Sequence, residues 1–286
     1  MSTTGSAVVV VGGLGLLSVC AAIYWRRLGR RGAQARPDKA YTGKTSGVVA
    51  SIRVYPIKSC AGHEVTEAHL GRRGLEFDRL WMVVDANNRF MTQRRCPKMA
   101  LIRPSLPHDE NEPLVLSAEG VDSVEVPVVR PSSGAQVLDV VVWRDTCTAV
   151  DQGAAAAQWL SNFLEQDGLR LVRMEDRFVR TTDPKYGWGG QTGFADGFPI
   201  LLAAESSLAD LNSRMAEEET ISMDRFRPNL VVRGWGAWEE DTWTRIRVGN
   251  VGMRVVKPCG RCQIPSINQQ TLEKREEPNR TLKTFR

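Results

Sequence analysis

Two cysteines set two residues apart, in Lys257-Pro258-Cys259-Gly260-Arg261-Cys262, are the sharpest chemical signal in the chain. Arg261 between them is the kind of cation that keeps a neighbouring thiolate ionised, and the thiolate is the form that binds metals or attacks disulfides. Three chemistries suit the pair: half of a zinc site, a dithiol redox couple, or a single thiolate ligand for a softer metal centre. Structural zinc takes four ligands, yet there is no further CxxC, and His63, His69 and His108 are the only histidines. A thioredoxin-like couple opens a helix after a strand, whereas Pro265 follows Cys262 by three residues and no βαβ pattern surrounds it. Inert buried thiols are the bland reading of any free cysteines; Arg261 and the adjoining Gly260 and Pro258 argue against it.

Three other segments end apolar runs with a cation or an amide. Tyr55-Pro56-Ile57-Lys58-Ser59-Cys60 breaks a strand at Pro56 and presents an ammonium beside a hydroxyl, a pair suited to an anion. Arg79, within Phe77-Asp78-Arg79-Leu80-Trp81, opens an apolar strand, where a guanidinium is expensive unless something pairs with it; Asp78 is the ordinary partner. Phe226-Arg227-Pro228-Asn229 sets a planar donor fork and an amide ahead of Leu230–Val232, and such forks favour phosphates and similar oxyanions. Each alone is an unremarked strand end; together with the thiolates they suggest an anionic, sulfur-liganded cofactor. Trp235, Trp238 and Trp243 could stack a flat ligand, but packing is the simpler role. No Ser-His-Asp arrangement or phosphate-cradling glycine loop is present.

Short β-rich runs carry these segments: Val48–Tyr55, Leu80–Val84, Leu114–Leu116, Val124–Val129 and Val137–Val142, separated by turn residues. Asp85-Ala86-Asn87-Asn88 predicts a hairpin turn, because Asn and Asp tolerate left-handed backbone angles. Ala154–Gln166 predicts a helix with Trp159, Leu160, Phe163 and Leu164 on one face and Gly168 as its stop. A second helix is predicted from Ser206 or Ser207 through Leu208, Leu211 and Met215, capped by Ser207 with Asp210, with Glu217–Glu219 ending it in solvent. Leu230–Val232, Ile246–Val248 and Met253–Val256 predict further strands, the last delivering Cys259, with Gly249-Asn250 as a turn. A strand-dominated, barrel-like α+β fold with a few packed helices follows.

The N-terminus is different in kind. Ser2 to Trp25 carries no charge, Ala7 to Tyr24 is almost wholly apolar or glycine, and Arg26, Arg27, Arg30 and Arg31 follow it. One hydrophobic span fits this stretch, and cations after it predict a retained anchor with the body in the cytosol. The net charge of +5 resides in five arginines at or before Arg36, and from Pro37 onward 33 basic residues face 33 acidic ones. The body therefore has no bulk electrostatic reason to bind nucleic acid. Six cysteines, Cys20, Cys60, Cys96, Cys147, Cys259 and Cys262, lack the spacing of a secreted disulfide scaffold. The expected organisation is a transmembrane anchor over residues 1–25, a basic polar tether over 26–46, a β-rich domain over 47–175 and a second domain over 176–286.

The motifs YPIKSC, DRLW, FRPN and CGRC, in this order, resemble the MOSC-domain family, above all its amidoxime-reducing branch, and the anchor followed by arginines is similar to that branch's outer-mitochondrial-membrane signal anchor. The resemblance implies a MOSC-type β-barrel behind an N-terminal β-rich subdomain. It implies a molybdenum cofactor, with Cys262 as the protein sulfur on the metal and Lys58, Ser59, Arg79, Arg227, Asn229, Gly260 and Arg261 holding the pterin and its phosphate. Asp196, in Phe194-Ala195-Asp196-Gly197-Phe198-Pro199, matches a loop position near the metal that orients cofactor or substrate. It implies reduction of small N-hydroxylated compounds with electrons from cytochrome b5 and NADH-cytochrome b5 reductase; the alternative within the family is a carrier or sulfuration protein without reductase activity. This chain departs from the family pattern in three places: Gly197 and Phe198 replace small hydroxyl residues, Asn268-Gln269 replaces an Asp-Pro pair, and family members continue with closing strands beyond the segment equivalent to Thr281–Arg286.

Overall fold

The computed structural model describes residues 7–10 and 46–286, apart from 110, 132, 133, 187 and 188. Most of the predicted anchor and tether lies outside these residues. The four residues Ala7–Val10 run antiparallel to Glu67–Gly71, and no helix among the described residues is long and apolar enough to cross a membrane.

Two four-stranded sheets frame the body. In the first, Val137–Val142, Asp145–Asp151, Arg170–Met174 and Trp81–Val84 follow one another, all antiparallel. Trp81–Val84 is buried at every position, because alternate side chains of a strand serve opposite faces. Trp81 and Val83 join Leu160, Phe163, Leu164 and Leu171 in one core. Met82 and Val84 join Val140, Val142, Val172, Met174 and Phe194 in another. The helix α1, Ala154–Leu164, covers the first core with Ala156, Leu160, Phe163 and Leu164, as the apolar spacing requires. It stops at Glu165, left-handed at φ 55°, three residues before Gly168.

In the second sheet, Leu202–Ala204 lies parallel to Leu230–Arg233, which pairs antiparallel with Val48–Val54, and that strand pairs with His63–Val65. Ile52, Val54 and Leu230 fill its core. The predicted turn at Asp85–Asn88 forms, with Asn88 at φ 55° and the Asp85 carboxylate accepting the N–H groups of Asn87 and Arg89. The predicted Gly249 turn joins Arg245–Val248 to Val251–Arg254. The architecture is thus strand-dominated α+β.

The capping box does not form. The helix α2, Glu205–Ser213, runs directly out of the strand Leu202–Ala204 and makes no side-chain cap. Ser207 is instead buried within its first turn, donating to Glu240 Oε2 at 2.8 Å and accepting the Trp238 N–H at 2.8 Å. A tertiary bond outcompetes the local one here because Ser207 sits one turn too deep to meet free N–H groups. Glu217–Glu219 forms a separate 3-10 turn in solvent.

The sheets meet where Pro56 ends the strand Val48–Val54. Ile57 bridges Trp81 in parallel, the Lys58 N–H donates to Trp81 O at 2.9 Å, and the Arg79 N–H donates to Tyr55 O at 2.7 Å. This crossing carries Lys58 and Arg79 to one junction.

Candidate functional site

At that junction two guanidinium groups lie against the Tyr55 ring, with Arg79 Cζ 4.4 Å and Arg227 Cζ 4.3 Å from its centroid. Two guanidinium groups repel one another, so the pair needs anions or aromatic faces to hold it. Arg79 has its own carboxylate: Nη1 donates to Asp78 Oδ2 at 2.6 Å and to Asn229 Oδ1 at 2.9 Å, and Nη2 donates to Arg227 O at 2.9 Å. Asn229, 1% exposed, completes the frame by donating to Arg53 O and Asp78 Oδ1 and accepting the Leu201 N–H.

Arg227 is the exception. It is buried, no carboxylate pairs with it among the described residues, and its Nη2 and the neighbouring Tyr55 hydroxyl are both buried without a hydrogen-bond partner. Burial pulls the Arg227 guanidinium below its usual range and pushes the Tyr55 phenol up. An unpaired buried cation is costly; an anionic ligand at this point removes that cost.

Backbone strain concentrates on the same residues. Ser59 at φ 68°, Arg79 at φ 47° and Arg227 at φ 55° are all left-handed, a conformation that costs a side-chain-bearing residue of order 1 kcal/mol or more and clusters at ligand sites.

Lys58 and Asp196 meet across 138 residues of chain. Lys58 Nζ donates to Phe194 O at 2.8 Å and to Asp196 Oδ1 at 2.5 Å. Burial lowers the Lys58 ammonium from its ordinary range, and Asp196 opposes that shift. Desolvation works against the Asp196 carboxylate, but Lys58 and the Trp143 indole, which donates to Oδ1 at 2.9 Å, hold it well below the usual carboxylate range.

Two residues that organise this loop carry no sequence signal. Arg180, 5% exposed, donates to the carbonyls of Gly193, Ala195 and Asp196 and pairs with Asp145. Trp143 occupies the two-residue turn between Val142 and Asp145 at φ 58°, which turns its indole toward Asp196. Gly193 is required for the approach, since a Cβ there would stand 2.8 Å from Arg79 O.

The CGRC segment follows the strand Val251–Arg254 at the surface, with Cys259 exposed and Cys262 half-buried. The Ile264 N–H donates to Cys262 Sγ at 3.4 Å, and Asn279 Nδ2 donates to Cys262 O at 2.8 Å. Arg261 lies over the Phe226 ring at 4.9 Å and is electrostatically coupled to Cys259. Burial raises the Cys259 thiol above its ordinary range, and the Arg261 cation opposes that rise.

The rest of that segment is tied to the cationic junction. Gln93, fully buried, donates to Ser59 O at 2.9 Å and to Gln269 Oε1 at 2.9 Å, and Gln269 donates back to Gln93 Oε1 at 3.2 Å. Arg225 Nη1 donates to Pro265 O at 3.2 Å. The structure therefore brings Lys58, Asp196, Arg79, Arg227 and Asn229 together and links Ser59 to the Cys262 loop through Gln93. Gly260 and Arg261 make no hydrogen bond to the cationic group among those described.

The MOSC N-terminal beta barrel domain family matches residues 46–167, and the MOSC domain family matches residues 189–286. The chain is 34% identical to mitochondrial amidoxime-reducing component 1 of Mus musculus, covering 96% of this chain and 80% of that protein. It is 35% identical to mitochondrial amidoxime reducing component 2 of Bos taurus, covering 92% of this chain and 77% of the relative. It is also 34% identical to a molybdenum cofactor sulfurase of Danio rerio, over 85% of this chain and 31% of that protein.

Proposed function

The chain belongs to the MOSC-domain family, and on that premise we propose that it is a molybdenum-cofactor oxidoreductase reducing N-hydroxylated compounds, amidoximes and hydroxylamines, to their N–H forms. The observation that carries this reading is the buried, unpaired Arg227 with the unpartnered Tyr55 hydroxyl beside it. Both point to an anion at the junction of the two sheets, and a pterin phosphate suits the planar donor fork.

The donor set fits the cofactor. Lys58, Ser59, Arg79, Arg227, Asn229, Gly260 and Arg261 would hold the pterin and its phosphate, and Cys262 would supply a sulfur ligand, soft enough for a redox-active metal. When bound, the cofactor would supply the two-electron redox chemistry needed to reduce the N–O bond. The protein's own work is positioning. The Ile264 N–H steadies Cys262 Sγ, the kind of contact that orients a metal ligand. Lys58 and Trp143 both bond to Oδ1 of Asp196; its other oxygen can accept an N–H from the amidine end of a substrate.

By the family resemblance, electrons would come from cytochrome b5 and NADH-cytochrome b5 reductase. Residues 1–25 would anchor the protein in the outer mitochondrial membrane with its body in the cytosol. Such a tether raises the effective concentration of membrane-bound partners. The relatives named as mitochondrial components support that location.

The likeness to a molybdenum cofactor sulfurase favours a second reading, a cofactor carrier or sulfuration protein. One experiment separates the two. Molybdenum is measured in the wild type and in Cys262→Ala, and reduced cytochrome b5 is mixed with each plus benzamidoxime. A reductase retains molybdenum, loses it in the variant, and oxidises the cytochrome only with benzamidoxime present. Undiminished metal in Cys262→Ala sinks the assignment of that thiolate, and a metal-loaded wild type that leaves the cytochrome reduced favours the carrier.

A further inference from the structure

Beside the Asp196 loop stands a small aromatic and cationic lip that the proposed reaction does not use. Tyr186 and Phe198 meet edge to face, with centroids 6.3 Å apart and planes at 82°. Lys257 Nζ lies 5.0 Å from the Tyr186 centroid and 5.7 Å from that of Phe198, and Lys185 Nζ lies 5.3 Å from Tyr186. Phe198 is two residues past Asp196, and Lys257 is two residues before Cys259. The lip thus joins the two loops that carry the candidate site. Both rings are half-buried and both lysines are exposed. Among the described residues neither ammonium is paired with a carboxylate.

We propose that this lip makes the site selective for planar aromatic substrates bearing an anionic substituent, with Lys257 as the specificity-determining residue. This deepens the reductase reading and rests on it. Aromatic edges and faces accept a flat ring in offset or edge-on contact. The two ammonium groups raise the local concentration of anions at the rim. On the inner side the Asp196 carboxylate, held by Lys58, can accept an N–H hydrogen bond from the neutral N-hydroxyamidine end. A molecule with a negative tail and an N-hydroxyamidine head therefore meets cations at its tail and a hydrogen-bond acceptor at its head, while one with a positive tail meets like charge at the rim.

The test uses the cofactor-loaded protein, with 4-carboxybenzamidoxime and benzamidoxime as probes, in calorimetric titration and in turnover. The wild type should bind the carboxylated probe about fivefold tighter at low salt, the upper end for one exposed ion pair. Lys257→Gln should bring the ratio below about twofold, and Lys257→Arg should restore it. Phe198→Ser should weaken both probes together. Equal affinities in the wild type, or a ratio unchanged in Lys257→Gln, would overturn the lip even if both probes are reduced. A preserved binding preference with no turnover of either probe would leave the lip standing and sink the reductase reading instead.

Discussion

Replacing Arg180 with Gln tests whether the Asp196 loop is held from behind. The guanidinium, 5% exposed, supplies donors to Gly193 O at 2.8 Å, Ala195 O, Asp196 O at 3.2 Å and Asp145 Oδ2 at 2.8 Å. Asp145 is half exposed, so its ion pair contributes at most about 1 kcal/mol. The three carbonyls matter more. Each loses a charged donor, and where water cannot replace it the loss is about 1–1.5 kcal/mol. The sum, roughly 3–5 kcal/mol, matches what breaking a buried charged network typically costs. For a body of this size a melting point lower by about 6–20 °C follows. Urea unfolding followed by tryptophan fluorescence reads the stability, and metal analysis of the same sample reads the site. Because Phe194 O and Asp196 both bond to Lys58, molybdenum content should fall with the loop. Asp145→Asn, which removes only the exposed partner, should change stability by less than about 1 kcal/mol. A loss below about 1 kcal/mol in Arg180→Gln, with metal retained, would refute the clamp.

Two further predictions concern titration and reactivity. The Asp196 carboxyl is held below its ordinary 3.8, so its contribution to stability is complete above that value and is lost as pH falls toward the depressed folded value. The stability gap between wild type and Asp196→Asn should therefore stay level from neutral pH to about pH 5 and shrink below about pH 4; a gap that closes near pH 6 would contradict the ion pair with Lys58. In metal-free protein, iodoacetamide should reach Cys259 and Cys262 first, since burial pushes the Cys60 thiol up to about 12 and the Cys147 thiol up to about 11. Labelling of Cys60 at the rate of Cys259 in folded protein would show the junction to be open.

Much of the site's inventory was readable because it sits at strand ends. Pro56 must stop a strand, Asp85-Ala86-Asn87-Asn88 must turn, and α1 must bury Leu160 and Phe163; all are local consequences of sterics and apolar spacing, and all are observed. The cations of YPIKSC, DRLW and FRPN stood out for the same reason, as polar groups where apolar ones were expected. Ser207 was misread because a local capping pattern ignores what lies across the fold, here Glu240 and Trp238.

Lys58 and Asp196 were each singled out in the sequence, but that they face one another was not. Arg180, Trp143 and Gln93 carried no signal at all, and Gln269 stood out only as a departure from the family pattern. Lys58 and Asp196 are 138 residues apart, and Gln93 and Gln269 are 176 apart. No periodicity encodes such contacts. The sequence alone determined some of the strands, Val48–Tyr55, Leu80–Val84 and Leu230–Val232 among them, and which groups stand where they break; it did not mark His63–Val65, Asp145–Asp151, Arg170–Met174 or Leu202–Ala204, whose pairing comes from their neighbours. Only the tertiary structure decided which breaks face one another, because that depends on how two sheets cross at Ile57 and Trp81, and on buried polar groups finding their partners wherever packing brings them.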